Sequence, residues 1–162
     1  MNAQDSHTAA DARGRLNSER PVRAVLDTNI LVAFALLNGS PAARRQDAIR
    51  RCVERVRADG GLLGSEATLA ELRAVLLRPD FDHYSPAPAR ERFLDAIAAE
   101  MTLVPPAPIG RLCRDPEDDM FLAAALAADA DWLVTVDRQL LSVRRIGRTP
   151  VLRPERFLEA VA

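Results

Sequence analysis

Apolar residues come along this chain in short packets, and the spacing between packets alternates between two periods. "VRAVL" is a continuous apolar run ending at Asp27, which predicts a strand buried on both faces. Asn29 to Leu37 continues as a helix stopped by "NGSP". From Ala42 to Ala58 the period is helical: Ile49, Cys52, Val53 and Val56 share one face, and "DGG" ends it. "LLG" predicts a short strand, after which Ser65 caps a helix through Leu77 with Leu69, Leu72 and Leu76 inward. "RPDFDHYSPAP" is a proline-rich connector, and Ala89 to Met101 is amphipathic through Phe93, Leu94 and Ile97. "TLV" is a further strand, "RDPEDD" opens the helix "MFLAAALAA", and "DWLVTVD" is a buried strand ending at Asp137. "RQLLSV" is a turn or short helix, "TPVL" the last strand, and "PERFLEAV" a final helix started by proline. Short apolar strands alternating with helices predict an α/β fold with a mostly parallel central sheet.

The pattern contains no internal repeat and no second domain, and 162 residues suit one core. Residues 1–20 are polar and aperiodic and read as a mobile tail ahead of a domain over residues 21–162. They lack the apolar segment of a secretory signal, and no run is long enough to span a membrane, so the expected compartment is the cytoplasm. A formal net charge of -1 gives no general attraction to nucleic acid, and any polyanion contact must come from a local patch. All 22 basic residues are arginine, a bias that a GC-rich genome explains more simply than phosphate recognition does. Cys52 and Cys113 have no partner at zinc-ligand spacing and read as small buried residues.

The chemistry lies in the carboxylates. In parallel sheets, ligands sit beyond the carboxyl ends of the strands, where strand order reverses. Asp27 and Asp137 each end a predicted strand, Asp115, Asp118 and Asp119 stand at a helix start, and Glu71 lies near the inward side of its helix. Converging carboxylates repel one another unless a cation completes them. Oxygen donors without His or Cys suit Mg²⁺ or Mn²⁺. Each acid also has a plain structural reading: Asp27 on loop amides, the Asp115–Asp119 cluster and Asp137 as helix caps, and Glu71 as an exposed helix acid. Their joint placement favours a site.

At these motifs the sequence resembles the PIN-domain family. "VLDTNILVAF" resembles the family's opening motif. "SEATLAELRAVLLRPDF" and "RDPEDDMFLAAALAADADWLVTVDRQLL" resemble the subgroup described as toxin components of toxin–antitoxin systems. The resemblance runs from Arg23 to the C-terminus. It implies a three-layer αβα sandwich and an Mg²⁺- or Mn²⁺-dependent ribonuclease. It also implies that Asp27, Glu71, Asp118 and Asp137 are the catalytic, metal-binding acids. Asn29 and Thr135 are then supporting polar groups, and Asp115 is either an additional ligand or a cap. Asp118 suits the family's helix phase better than Asp119. The implied partners are an RNA substrate, a cognate antitoxin protein and a second copy in a homodimer, with no membrane. The near-neutral charge departs from the more basic character of many family toxins.

Arg144, Arg145 and Arg148 follow the Asp137 segment and are expected to reach RNA at that rim. Arg44, Arg51 and Arg55 read as a solvated helix face. His7 lies in the tail and His83 in the connector, so neither suits a general base. Trp132 reads as core, and one Trp and one Tyr leave few platforms for base stacking. A phosphatase using Asp27 as nucleophile would need a second Asp where Asn29 stands, and a lysine that this chain lacks. A receiver domain fails on the same lysine. The other reading from a different class is a non-catalytic PIN-fold module that binds RNA or an antitoxin.

Overall fold

Three strands of three residues each form the centre of the sheet: β1 (Ala24–Leu26), β2 (Leu62–Gly64) and β4 (Trp132–Val134). Alternate side chains serve opposite faces, so even a three-residue strand joins two cores. Ala24, Leu26, Leu62 and Val134 pack on one side, while Val25, Leu63 and Leu133 pack on the other. That two-sided burial is why these strands read as continuous apolar runs.

A computed structural model describes residues 20–37 and 44–162. The expected tail, apart from Arg20, lies outside the described residues, as do His7, the "NGSP" stop and the first residues of the second predicted helix. Around the central strands the chain adds α1 (Thr28–Leu36), α2 (Arg44–Ala58), α3 (Glu66–Leu76) and α4 (Ala87–Glu100). Then follow β3 (Thr102–Leu103), α5 (Asp119–Ala127), α6 (Arg138–Val143), β5 (Arg145–Ile146), β6 (Thr149–Leu152) and α7 (Pro154–Val161). The strand order is β3-β2-β1-β4-β6-β5. All pairings are parallel except β5 with β6. The fold is a three-layer α/β sandwich: α1 to α4 and α7 line one core, α5 and α6 the other.

The described strands and helices follow the hydrophobic pattern closely, with two differences. The "DWLVTVD" strand pairs only over Trp132–Val134; the Thr135 N–H makes the last bond to β6, and Val136 and Asp137 turn across the strand's end. The arginine-rich segment after α6 is not a plain loop but an antiparallel edge strand, Arg145–Ile146, closed by Gly147 at φ +56°. Gly61 is required for close approach: a Cβ there would stand 1.7 Å from the Val22 carbonyl oxygen. Trp132 is half-buried and packs edge-on to Phe157 at 6.3 Å. Both cysteines are buried and free, and burial is the leading cause that pushes each thiol up to about 12.

The connector before α4 is pinned by a buried arginine. Arg90 is only 1 % exposed. Its guanidinium donates to the carbonyls of Ser85, Leu76 and Arg78 and pairs with Asp82. The Leu76 carbonyl is one of the unpaired acceptors at the end of α3, so Arg90 acts as its C-terminal cap.

Candidate functional site

Strand order reverses between β1 and β4, because the chain moves outward to β2 and β3 and then returns to the other side of β1. The carboxyl ends of those two strands therefore open onto a crevice, the usual ligand position in such sheets. Asp27 stands there as the N-cap residue of α1, yet its side chain accepts no bond from the first turn of that helix at N2 or N3. Instead its Oδ2 accepts the Thr135 hydroxyl at 2.7 Å from across the sheet. The same Thr135 oxygen accepts from the Asp137 N–H at 2.9 Å, and the Thr135 N–H donates to the Leu152 carbonyl. Thr135 thus ties the ends of β1, β4 and β6 together.

Asp27 is 4 % exposed, and burial pushes its carboxyl up to about 6. Bonds from Thr135 and the Thr28 main chain oppose that rise, while the charges of Glu71 and Asp137 add to it. Asp118 is half-buried and is also raised to about 6, by burial first and then by Asp137, Asp115, Asp27 and Glu71. Asp27 feels the charges of Glu71 and Asp137, and Asp118 those of Asp137, Asp27 and Glu71, so the four acids lie within electrostatic reach of one another.

Their hydrogen bonding separates them. Asp118 makes no side-chain cap to α5, and among the described residues its carboxylate has no hydrogen-bond donor. Asp137 caps α6 through Oδ1, which accepts from the N–H groups of Gln139 at 2.7 Å and Leu140 at 3.3 Å. Its Oδ2 takes no part in that cap. Glu71 accepts the Thr28 hydroxyl at 2.6 Å on Oε2. Asp115 is exposed and forms a local turn, accepting from the Glu117 N–H at 2.9 Å. Asp119 is spent on structure: buried, it accepts from the N–H of Cys113 at 2.8 Å and of Leu112 at 3.2 Å.

Asn29 is exposed and bonds none of the acids among the described residues; the polar partner in that stretch is its neighbour, Thr28. One residue of helix turns the side chain by about 100°, so Thr28 and Asn29 cannot serve the same group. Sequence reasoning missed Thr28, and its position within the polar interruption "DTN" was the available signal.

The three arginines after α6 separate as well. Arg148 donates to Asp129 at 2.6 Å and Asp131 at 3.0 Å, residues that precede β4. It therefore lies at the amino end of the sheet, away from the acids, which corrects the expectation that it reaches their rim. A groove of about 460 Å³ there is lined by Arg20, Arg55 and Arg148 among others. Arg144 and Arg145 are exposed on the β5 edge, where the Arg144 carbonyl accepts from the Val151 N–H. Arg51 is exposed, and Arg55 pairs with Asp59.

The quartet suits a hard divalent cation in donor type, since it offers carboxylate oxygens and no nitrogen or sulfur. Among the described residues, no three acidic, His or Cys side chains are gathered closely enough to hold an ion between them. Magnesium keeps much of its water and uses only one or two carboxylates. The acids meet that requirement in donor type, and they do not form a closed cage. No described helix is long and apolar enough to cross a membrane.

Residues 23–139 match the family model for the PIN domain. No curated protein and no solved structure matches the chain.

Proposed function

The chain belongs to the PIN-domain family, and from that premise we propose that it is an Mg²⁺- or Mn²⁺-dependent endoribonuclease. The family supports a nuclease in general; RNA as substrate rests on the resemblance of the sequence motifs, and the metal is our reading of the acids. One observation carries it. The Asp27 carboxylate is buried at the sheet's reversal point, declines the helix cap open to it, and shares its surroundings with Glu71, Asp118 and Asp137. Such an arrangement is unfavourable alone and becomes favourable around a cation.

Asp27, Glu71, Asp118 and Asp137 would hold the ion. When bound, Mg²⁺ or Mn²⁺ supplies Lewis acidity for a phosphodiester oxygen and lowers the pKa of water at neutral pH. Thr135 fixes the rotamer of Asp27, and the α6 cap fixes that of Asp137, so both carboxylates meet the ion with little reorganisation. No Ser, Cys or His stands in the quartet as a nucleophile, which favours direct attack by water over a covalent intermediate. Asp115 is left as a turn residue near Asp118 and is not needed as a ligand. Contact with the RNA backbone falls to Arg144, since Arg148 is held by two aspartates and the Arg145 guanidinium donates to the Arg148 carbonyl. A toxin role, with a cognate antitoxin and a homodimer, rests on the resemblance of "SEATLAELRAVLLRPDF" and "RDPEDDMFLAAALAADADWLVTVDRQLL" alone.

Cleavage of a mixed RNA substrate with Mn²⁺, with EDTA, and by Asp27→Asn tests this. The expected result is Mn²⁺-dependent cleavage that EDTA abolishes and that the variant lacks. The absence of a closed cage favours a second reading, a non-catalytic module binding RNA or an antitoxin. RNA binding without cleavage under any divalent metal would select it.

A further inference from the structure

We propose that Thr28 is a positioning residue that presents the Glu71 carboxylate to the divalent cation. This rests on the nuclease reading above and adds to it a residue outside the acid quartet. Thr28 is 5 % exposed and is the first residue of α1. Its hydroxyl donates to Glu71 Oε2 at 2.6 Å, across 43 positions of sequence, from α1 to the neighbouring α3. The hydroxyl has a single proton, and this bond spends it.

Glu71 needs such a brace more than the other acids do. Its side chain has one more rotatable bond than an aspartate, so it loses more rotamer freedom when a ligand fixes it. Among the described residues it has no other hydrogen-bond partner. Holding Oε2 leaves Oε1 as the oxygen offered to the ion, in an orientation set before the ion arrives. The same device appears at Asp27, whose Oδ2 takes the Thr135 hydroxyl. The first turn of α1 therefore carries one acid, Asp27, and orients another through the adjacent residue. A purely structural staple between α1 and α3 is the competing account, and it predicts lower stability with unchanged affinity for metal.

Titration of wild type, Thr28→Val, Thr28→Ser and Glu71→Gln with Mn²⁺, followed by the metal's paramagnetic resonance, separates these accounts. Thr28→Val keeps the shape and removes the proton. It should weaken Mn²⁺ binding by roughly 10-fold or more, as loss of a group orienting a ligand does. Thr28→Ser should restore affinity, and Thr28→Val should cost nothing further in the Glu71→Gln background. Wild-type affinity in Thr28→Val, or an equal loss with and without Glu71, overturns the assignment while leaving the nuclease reading intact. Failure of the wild type to bind Mn²⁺ overturns both. Melting in EDTA checks the fold. Should Thr28→Val not melt cooperatively, Thr28→Ala replaces it, and loss of folding in both variants decides for the staple.

Discussion

Asp27 and Asp119 are the same side chain with opposite employment. Both are buried, at 4 % and 9 % exposure. Asp119 has its oxygens filled by the main chain of Leu112 and Cys113, and it holds the loop leading into α5. Asp27 has one hydroxyl donor and like-charged neighbours. Their asparagine variants should therefore diverge. Asp27→Asn keeps an acceptor for Thr135 and removes one repelling charge, so its metal-free melting temperature at pH 7.5 should equal or exceed that of wild type. Its gain on adding Mn²⁺ should be much smaller. Asp119→Asn should lose about 1–3 kcal/mol, as for a damaged buried hydrogen bond, with or without metal. Thermal melts of the three proteins in EDTA and in Mn²⁺ check both outcomes; equal metal responses in wild type and Asp27→Asn would remove Asp27 from the ligand set. "RDPEDD" does not by itself tell which aspartate is structural, because the distinction depends on where the chain before it passes.

Among the elements, the junction of α3, the connector and α4 depends on Arg90 more than its sequence position suggests. Arg90→Met fills much of the space but leaves the Ser85, Leu76 and Arg78 carbonyls without their donor. A loss of about 3 kcal/mol is expected, at roughly 1 kcal/mol per carbonyl bond. Asp82→Asn should cost no more than about 1 kcal/mol, because the Asp82 side chain is 58 % exposed and surface pairs contribute little. Urea unfolding of both variants tests the contrast, and comparable losses would refute it. Arg90 also marks where legibility ends. In the sequence it is one arginine among 22, and only the return of α4 beside the end of α3 makes it a cap. The strands were legible because Ala24 to Leu26 and Leu62 to Leu63 are apolar on both faces. β5 was not, since two residues at an edge, one of them arginine, carry no period. Glu71 was legible as an inward acid from its phase in α3. Thr28 was not, because its partner lies 43 positions away.

For the whole molecule, the raised acids make stability depend on pH in an unusual direction. A carboxyl raised from 3.8 to about 6 binds its proton more tightly in the folded state than in the unfolded. Between those values the native state holds more protons, so stability falls as pH rises through that window. For Asp27 the loss is on the order of 3 kcal/mol, and the half-buried Asp118 adds to it in the same direction. In EDTA, wild type should lose more stability than Asp27→Asn between about pH 4 and pH 6. With Mn²⁺ the order of events reverses, because binding needs the ionised acids and stabilises the native state by mass action. The metal-induced rise in melting temperature should be large at pH 7.5 and small at pH 5, and a rise independent of pH would contradict the assignment. Thr135 adds a consequence in time. It lies 108 positions after Asp27, and its own N–H is seated on Leu152, later still in the sequence. A polypeptide still on the ribosome, with Asp27, Glu71 and Asp118 already outside the exit tunnel, has no clasp to hold the first strand's carboxylate. The rim is assembled only once Leu152 has emerged as well, so a nascent chain that stops short of β6 lacks the chemistry we assign to it.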